Sequence, residues 1–185
     1  MTLQEMKRKA LVLIEEYDPD SASLTADDDI ENKMNDVINQ IMFEICRIKK
    51  IPKSVEFEVT AGERIDFDRL EAEVGYAIYQ VSLVTGVGYE TRGDGTIYKM
   101  LESGTAEFDV FVYPEAITSK TKDTYEFELS ADALEIMPYG IAADLLATDV
   151  TGMNKVFRDK YETLLSRFDS RNQMPSISIV GGINV

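Results

Sequence analysis

Apolar residues recur three and four apart at Leu3, Met6, Ala10, Leu13, Ile14 and Tyr17, which predicts one helical stripe ended by "DPD" at 18–20. A polar loop follows. Thr25, with Asp28 three residues on, offers a start resembling a capping box, and Asp27 to Asp29 suit the positive end of a helix. The stripe resumes at Ile30 and continues through Met34, Val37, Ile38, Ile41, Met42, Ile45 and Ile48. Cations gather in "RIKKIP", where the helix dipole favours them, and Pro52 is the expected stop.

At Pro52 the period drops to two. "SVEFEVT" alternates Val55, Phe57 and Val59 with Glu56, Glu58 and Thr60, and "AG" supplies a turn into Ile65 and Phe67. "AIYQVSLVTG", "VGYETRGDGTIYKML", "GTAEFDVFVYPEAI" and "DTYEFELS" continue the pattern, with Asp94-Gly95 as a hairpin turn. The expectation is some five to seven short antiparallel strands, closing at Leu129.

Helix signals then return. Ser130 can cap and Asp132 sits in the first turn. In "EIMPYGIAADLLATD" a continuous helix would place Pro138 inside, costing about 3 kcal/mol. A helix that starts at Pro138 loses nothing by the missing N–H. The pattern therefore predicts a short turn over 131–136, a break, and a helix from Pro138. Gly140, Ile141, Ala142, Ala143, Leu145 and Leu146 make that helix apolar around most of its circumference, so it should be buried on more than one side. Two placements suit it: the centre of a four-helix core, or a wedge between its own bundle and the next subunit. A last amphipathic helix is expected over Asn154 to Phe168, through Val156, Phe157, Tyr161, Leu164, Leu165 and Phe168.

The fold class is therefore α+β. An antiparallel bundle of about four helices, built from 1–52 and 130–171, is interrupted by a small antiparallel β-domain at 53–129 and followed by an extended tail at 172–185. The tail carries Pro175, Ile177, Ile179, Val180, Gly181, Gly182, Ile183 and Val185 without a charge. Such a segment either folds back on the β insertion or docks on another subunit by strand addition. Deleting residues 175 to 185 should then leave the fold intact and abolish assembly onto a partner.

Charge narrows the function. The chain of 185 residues has a net charge of -15, which repels phosphate and disfavours a duplex-binding patch. It also disfavours anionic membranes. There is no histidine, which removes the usual general base and the commonest zinc ligand. Cys46 is the single cysteine, so an internal disulfide is impossible and a small buried hydrophobe is the expected role. The apolar run "ALVLI" is too short for a signal-peptide core and no spanning segment follows, so cytosolic synthesis is expected.

Candidate chemistry is thin. The carboxylates are scattered along strand faces and helix starts. "DDD" lacks the spacing of a calcium loop. The glycines of "GVGYETRGDGTIYK" are not followed by the Lys-Ser/Thr of a phosphate loop, and "RGD" at 92–94 falls in a hairpin. Tyr79, Tyr89, Tyr98 and Tyr113 could stack a sugar or a base, although aromatic residues also belong in strands. No catalytic, cofactor or metal site is expected.

Helices interrupted by a β insertion resemble the head–tail adaptor (connector) proteins of tailed bacteriophages. The similarity is most local in "FELSADALEIMPYGIAADLLATDVTGMNKVFRDKYETLLSRFDSR", 127–171, and extends to "PEAITSKTKDTYEFELS", 114–130. The resemblance implies a virion protein made in the bacterial cytoplasm: a homo-oligomeric ring, commonly of twelve copies, between the portal protein and the tail or neck proteins. It implies a projecting β insertion, a C-terminal extension (here Pro175 to Val185) reaching the portal, DNA passing through the lumen without specific binding, and no enzymatic chemistry. Other neck or tail-completion rings fit nearly as well. A monomeric carbohydrate- or receptor-binding module using Tyr89, Tyr98 and Tyr113 is the alternative from a different class, and an acid-dependent hydrolase is the weakest.

Overall fold

A computed structural model describes residues 1–15, 28–147 and 152–172. Five helices and six strands, the strands in two small antiparallel sheets, make up the described part. The expected cap at Thr25 and the tail at 175–185 lie outside it.

Helix α1 (Leu3–Leu13) starts on a full capping box: Thr2 Oγ1 accepts from the Glu5 N–H at 3.2 Å, and the Glu5 carboxylate accepts from the Thr2 N–H at 2.9 Å. That backbone bond holds the Glu5 carboxyl below its ordinary value. Helix α2 (Asp28–Ile48) buries Met34, Ile38, Ile41, Met42 and Ile45 of the predicted stripe, with Ile30, Val37 and Ile48 half-buried and Cys46 buried beside it. It ends at Ile48 without help from Pro52. Pro52 is the second residue of strand β1 (Ile51–Val59), opposite Phe111, and an edge strand tolerates the missing donor.

The first sheet has the order β1-β6-β3, with β3 at Ile78–Thr85 and β6 at Gly104–Val112. The second has the order β2-β5-β4, from Arg64–Asp66, Ile97–Met100 and Tyr89–Arg92. Between β2 and β3 the chain forms α3 (Phe67–Val74), a helix where the alternation predicts a strand through Phe67. Its signals are local: the Asp66 side chain accepts from the Arg69 N–H at 3.0 Å, and Gly75 closes it in the left-handed conformation. Phe57, Val59, Ile65, Leu70, Phe108, Val110 and Val112 belong to one β core.

The expected last strand, "DTYEFELS", makes only one isolated bridge, Thr2 to Glu126. Its alternating Tyr125, Phe127 and Leu129 pack instead on the helical core, together with Ile117. Asn39 of α2 pins this returning segment. Its amide donates to the Ile117 carbonyl at 2.8 Å and accepts from the Ile117 N–H at 2.7 Å, imitating a strand partner. Residues 113–129 thus belong, by packing, with the helices.

Helix α4 runs unbroken from Ala131 to Leu145 with Pro138 inside, not from Pro138 after a break. The Leu134 carbonyl forgoes its helical donor, a loss of about 3 kcal/mol. Leu134, Ile136, Met137 and Ile141 are all buried across the proline, at roughly 1.5–3 kcal/mol each. Burial on both sides of the break outweighs the break. Helix α5 (Met153–Asn172) buries Phe157, Tyr161, Leu165 and Phe168, while Val156, expected on the stripe, is 57 % exposed.

Candidate functional site

The α4 residues singled out by the sequence are enclosed by the chain itself. Pro138, Gly140, Ile141, Ala142, Ala143 and Leu145 are buried and Leu146 is half-buried, with α1, α2 and α5 packed around them. Gly140 sets the closeness of that packing. A Cβ there would stand 2.9 Å from Ile41 Cδ1 and 3.1 Å from Tyr161 Cδ2. Burial, with the Glu44 carboxylate alongside, pushes the Tyr161 phenol well above its ordinary value. At the rim the Arg158 guanidinium pairs with Asp144, which also accepts from the Gln40 amide at 3.5 Å.

The surface residues that come together lie elsewhere, where the C-terminal end of α2 meets the base of the first sheet. Phe43 and Tyr113 rings sit 5.1 Å apart, Tyr79 and Tyr113 4.9 Å, and Tyr79 and Phe111 6.3 Å. The Tyr79 hydroxyl donates to the Cys46 carbonyl at 2.9 Å, tying sheet to helix. Arg47 Nε donates to the Tyr113 hydroxyl at 2.9 Å. The Lys50 ammonium stands 4.5 Å from the Phe111 ring centre and that of Lys53 4.6 Å from Tyr76. Burial raises the Tyr79 phenol to about 12 and the Cys46 thiol to about 11. Cys46 is therefore a protonated core residue and no nucleophile.

A groove of about 770 Å³ opens beside this cluster, lined by Phe43, Arg47, Tyr76, Tyr113, Pro114 and Glu115 among others. Sequence reasoning names Tyr79 and Tyr113 but misses Phe43, Phe111 and their cations. One signal was available: "RIKKIPK", 47–53, has four cations and no carboxylate in a chain of net charge -15.

The four tyrosines do not share a face. Tyr98 is buried in the β core with Tyr89 5.8 Å away, whereas Tyr79 and Tyr113 lie at the helix–sheet junction. The hairpin holding "RGD" turns with Asp94 and Gly95 both at positive φ. On the other side of the α2 end, Lys49 pairs with Asp132 at 2.7 Å, and this bond lowers the Asp132 carboxyl to about 2. Among the described residues no group of three or more His, Cys, Asp or Glu could hold a metal ion, and no helix is long and apolar enough to cross a membrane. The residues named for partner contact in the tail, Pro175 to Val185, lie outside the described residues. No protein-family model matches this chain, and a search of curated proteins finds no match for it.

Proposed function

We propose that this chain is a structural subunit of a tailed-phage neck, a head–tail adaptor or a closely related ring component that acts by assembly and not by catalysis. In this reading α1, α2, α4 and α5 form the bundle, and the chain after α5 reaches toward the portal. The observation that carries it is how the β module joins the helices. The chain leaves them at Ile51 and returns at Val112, and these two residues are directly paired. The sheet-bearing lobe is thereby an insertion whose entry and exit lie side by side, tied to the helical half further by the Tyr79–Cys46 and Tyr76–Glu128 hydrogen bonds, and in this reading it presents its outer surface to other subunits.

A net charge of -15 suits a protein that lets DNA pass without adhesion. Because α4 is closed by its own chain, ring contacts in this proposal fall on the β lobe, the α2–sheet junction and the tail. The test is electron microscopy of particles from cells that make the chain, labelled with an antibody to the Tyr89–Met100 hairpin. Label at the head–tail junction is expected. Label elsewhere on the particle, or none on any particle, overturns the assignment.

A further inference from the structure

The far end of the outer face of the β1-β6-β3 sheet is exposed at Glu56, Glu58, Thr105 and Glu107, and its charges are sorted. Ser54, Glu56 and Glu58 of β1 alternate outward against buried Phe57 and Val59, and Asp109, Glu107 and Thr105 stand opposite them on β6. Glu56 faces Glu107 directly, a like-charge arrangement that weakens a sheet. Hydroxyls fix three of the four carboxylates: Ser54 donates to Asp109, Thr105 donates to Glu58 at 2.6 Å and Thr85 donates to Glu107 at 3.4 Å. None of the four forms an ion pair among the described residues. Leu83, 52 % exposed, lies in register with Asp109.

The base of the same face has the opposite sign. Lys50 lies on Phe111, which shares the outward side of β6 with Asp109 and Glu107, and Arg47 is joined to Tyr113 just beyond. Both cations are exposed. From Phe111 to Glu107 is four residues, about 13 Å of strand. Acidic tip and cationic base are thus held apart along one strand. Asp109 is the nearest of the four acids to the base, Glu56, Glu58 and Glu107 lie further along the face, and the two ends complement each other between chains.

We infer that this face docks on a second copy of the chain, antiparallel, with the Glu56, Glu58, Glu107 and Asp109 tip of each copy on the Arg47 and Lys50 base of the other. A surface with opposite charges at its two ends satisfies itself under a two-fold axis, the isologous arrangement. Leu83 supplies an apolar contact near the middle. This pairing stands apart from the neck assignment and describes the chain in solution.

The test uses the full chain in analytical ultracentrifugation at low and high salt. A dimer is expected near 25 mM salt, with at least tenfold weaker association near 500 mM, because the contact is electrostatic. Glu56→Lys with Glu107→Lys should weaken pairing at least tenfold, as should Lys50→Glu. Arg47→Gln serves as the milder variant should Lys50→Glu misfold. Mixing the tip variant with Lys50→Glu should restore a heterodimer. A chain that is monomeric in every salt, an association that neither reversal changes, or a mixture that fails to pair overturns the inference. An acidic face that only repels nucleic acid would give the first of these results. Pairing without any label at the neck would instead sink the proposed function and leave this contact standing.

Discussion

The helical half and the sheet half solve the same burial problem with opposite outcomes at the surface. Helix α4 is apolar on nearly every side, and α1, α2 and α5 pack against it and bury most of it, leaving Ala131 and Glu135 exposed. The first sheet is apolar on one side only: Phe57, Val59, Phe108 and Val110 face the core, while Glu56, Glu58, Glu107 and Asp109 stay outside. A surplus of apolar residues therefore does not mark a partner surface here. The surfaces that remain open are the polar and aromatic ones, on the sheet and at its junction with α2.

The sharpest way to break that contrast is at Gly140. If α4 is closed by its own chain, Gly140→Val must push into Ile41 and Tyr161, and overpacking should destabilise the free protein by about 3 kcal/mol in urea unfolding. An unchanged midpoint would mean that this helix is loosely covered. Pro138→Ala probes the same helix with the opposite sign. Restoring a donor for the Leu134 carbonyl should stabilise the chain by about 2 kcal/mol, and a loss of stability would show that the ring's packing outweighs the missing bond.

Two smaller effects sharpen the boundary between the halves. Asp132 titrates in the folded chain at about 2, below its ordinary 3.8, so its contribution is present above pH 4 and fades as pH falls toward 2. Since its side chain is 40 % exposed, that contribution should be about 0.7 kcal/mol. Asp132→Asn should remove this part of the pH dependence in acid unfolding, and an identical profile would show that the Lys49 pair contributes nothing. On the sheet, Glu56→Lys replaces a like-charge pair with an opposite one. At a concentration where the chain is monomeric, a gain of about 0.5 kcal/mol is expected in thermal unfolding at low salt, disappearing at high salt, and a loss would contradict the register.

How much of this was legible in the sequence follows from which interactions are local. The α2 stripe and the Val55, Phe57, Val59 alternation are properties of the chain at short range, and both are found. α3 was also written locally, in Asp66 and Gly75, but eight residues between strands give too short a stripe to compete with the alternation. At Pro138 the local cost is visible in the sequence whereas the compensating burial by three other helices is not. Tyr125, Phe127 and Leu129 alternate as a strand would. Their partners are helices, and only the tertiary fold, through Asn39, says so. The aromatic and cationic junction joins Phe43 and Arg47 to Tyr79, Phe111 and Tyr113 across more than thirty positions, a distance that no periodicity spans.

Hydrogen–deuterium exchange of the free full chain at low concentration tests most directly whether the helical half is complete by itself. Amides of α4 from Ile136 to Leu145, Pro138 excepted, should be among the slowest to exchange before any partner is added. Fast exchange there in the free chain, slowed only on self-association or on binding a partner, would contradict a helical half complete by itself.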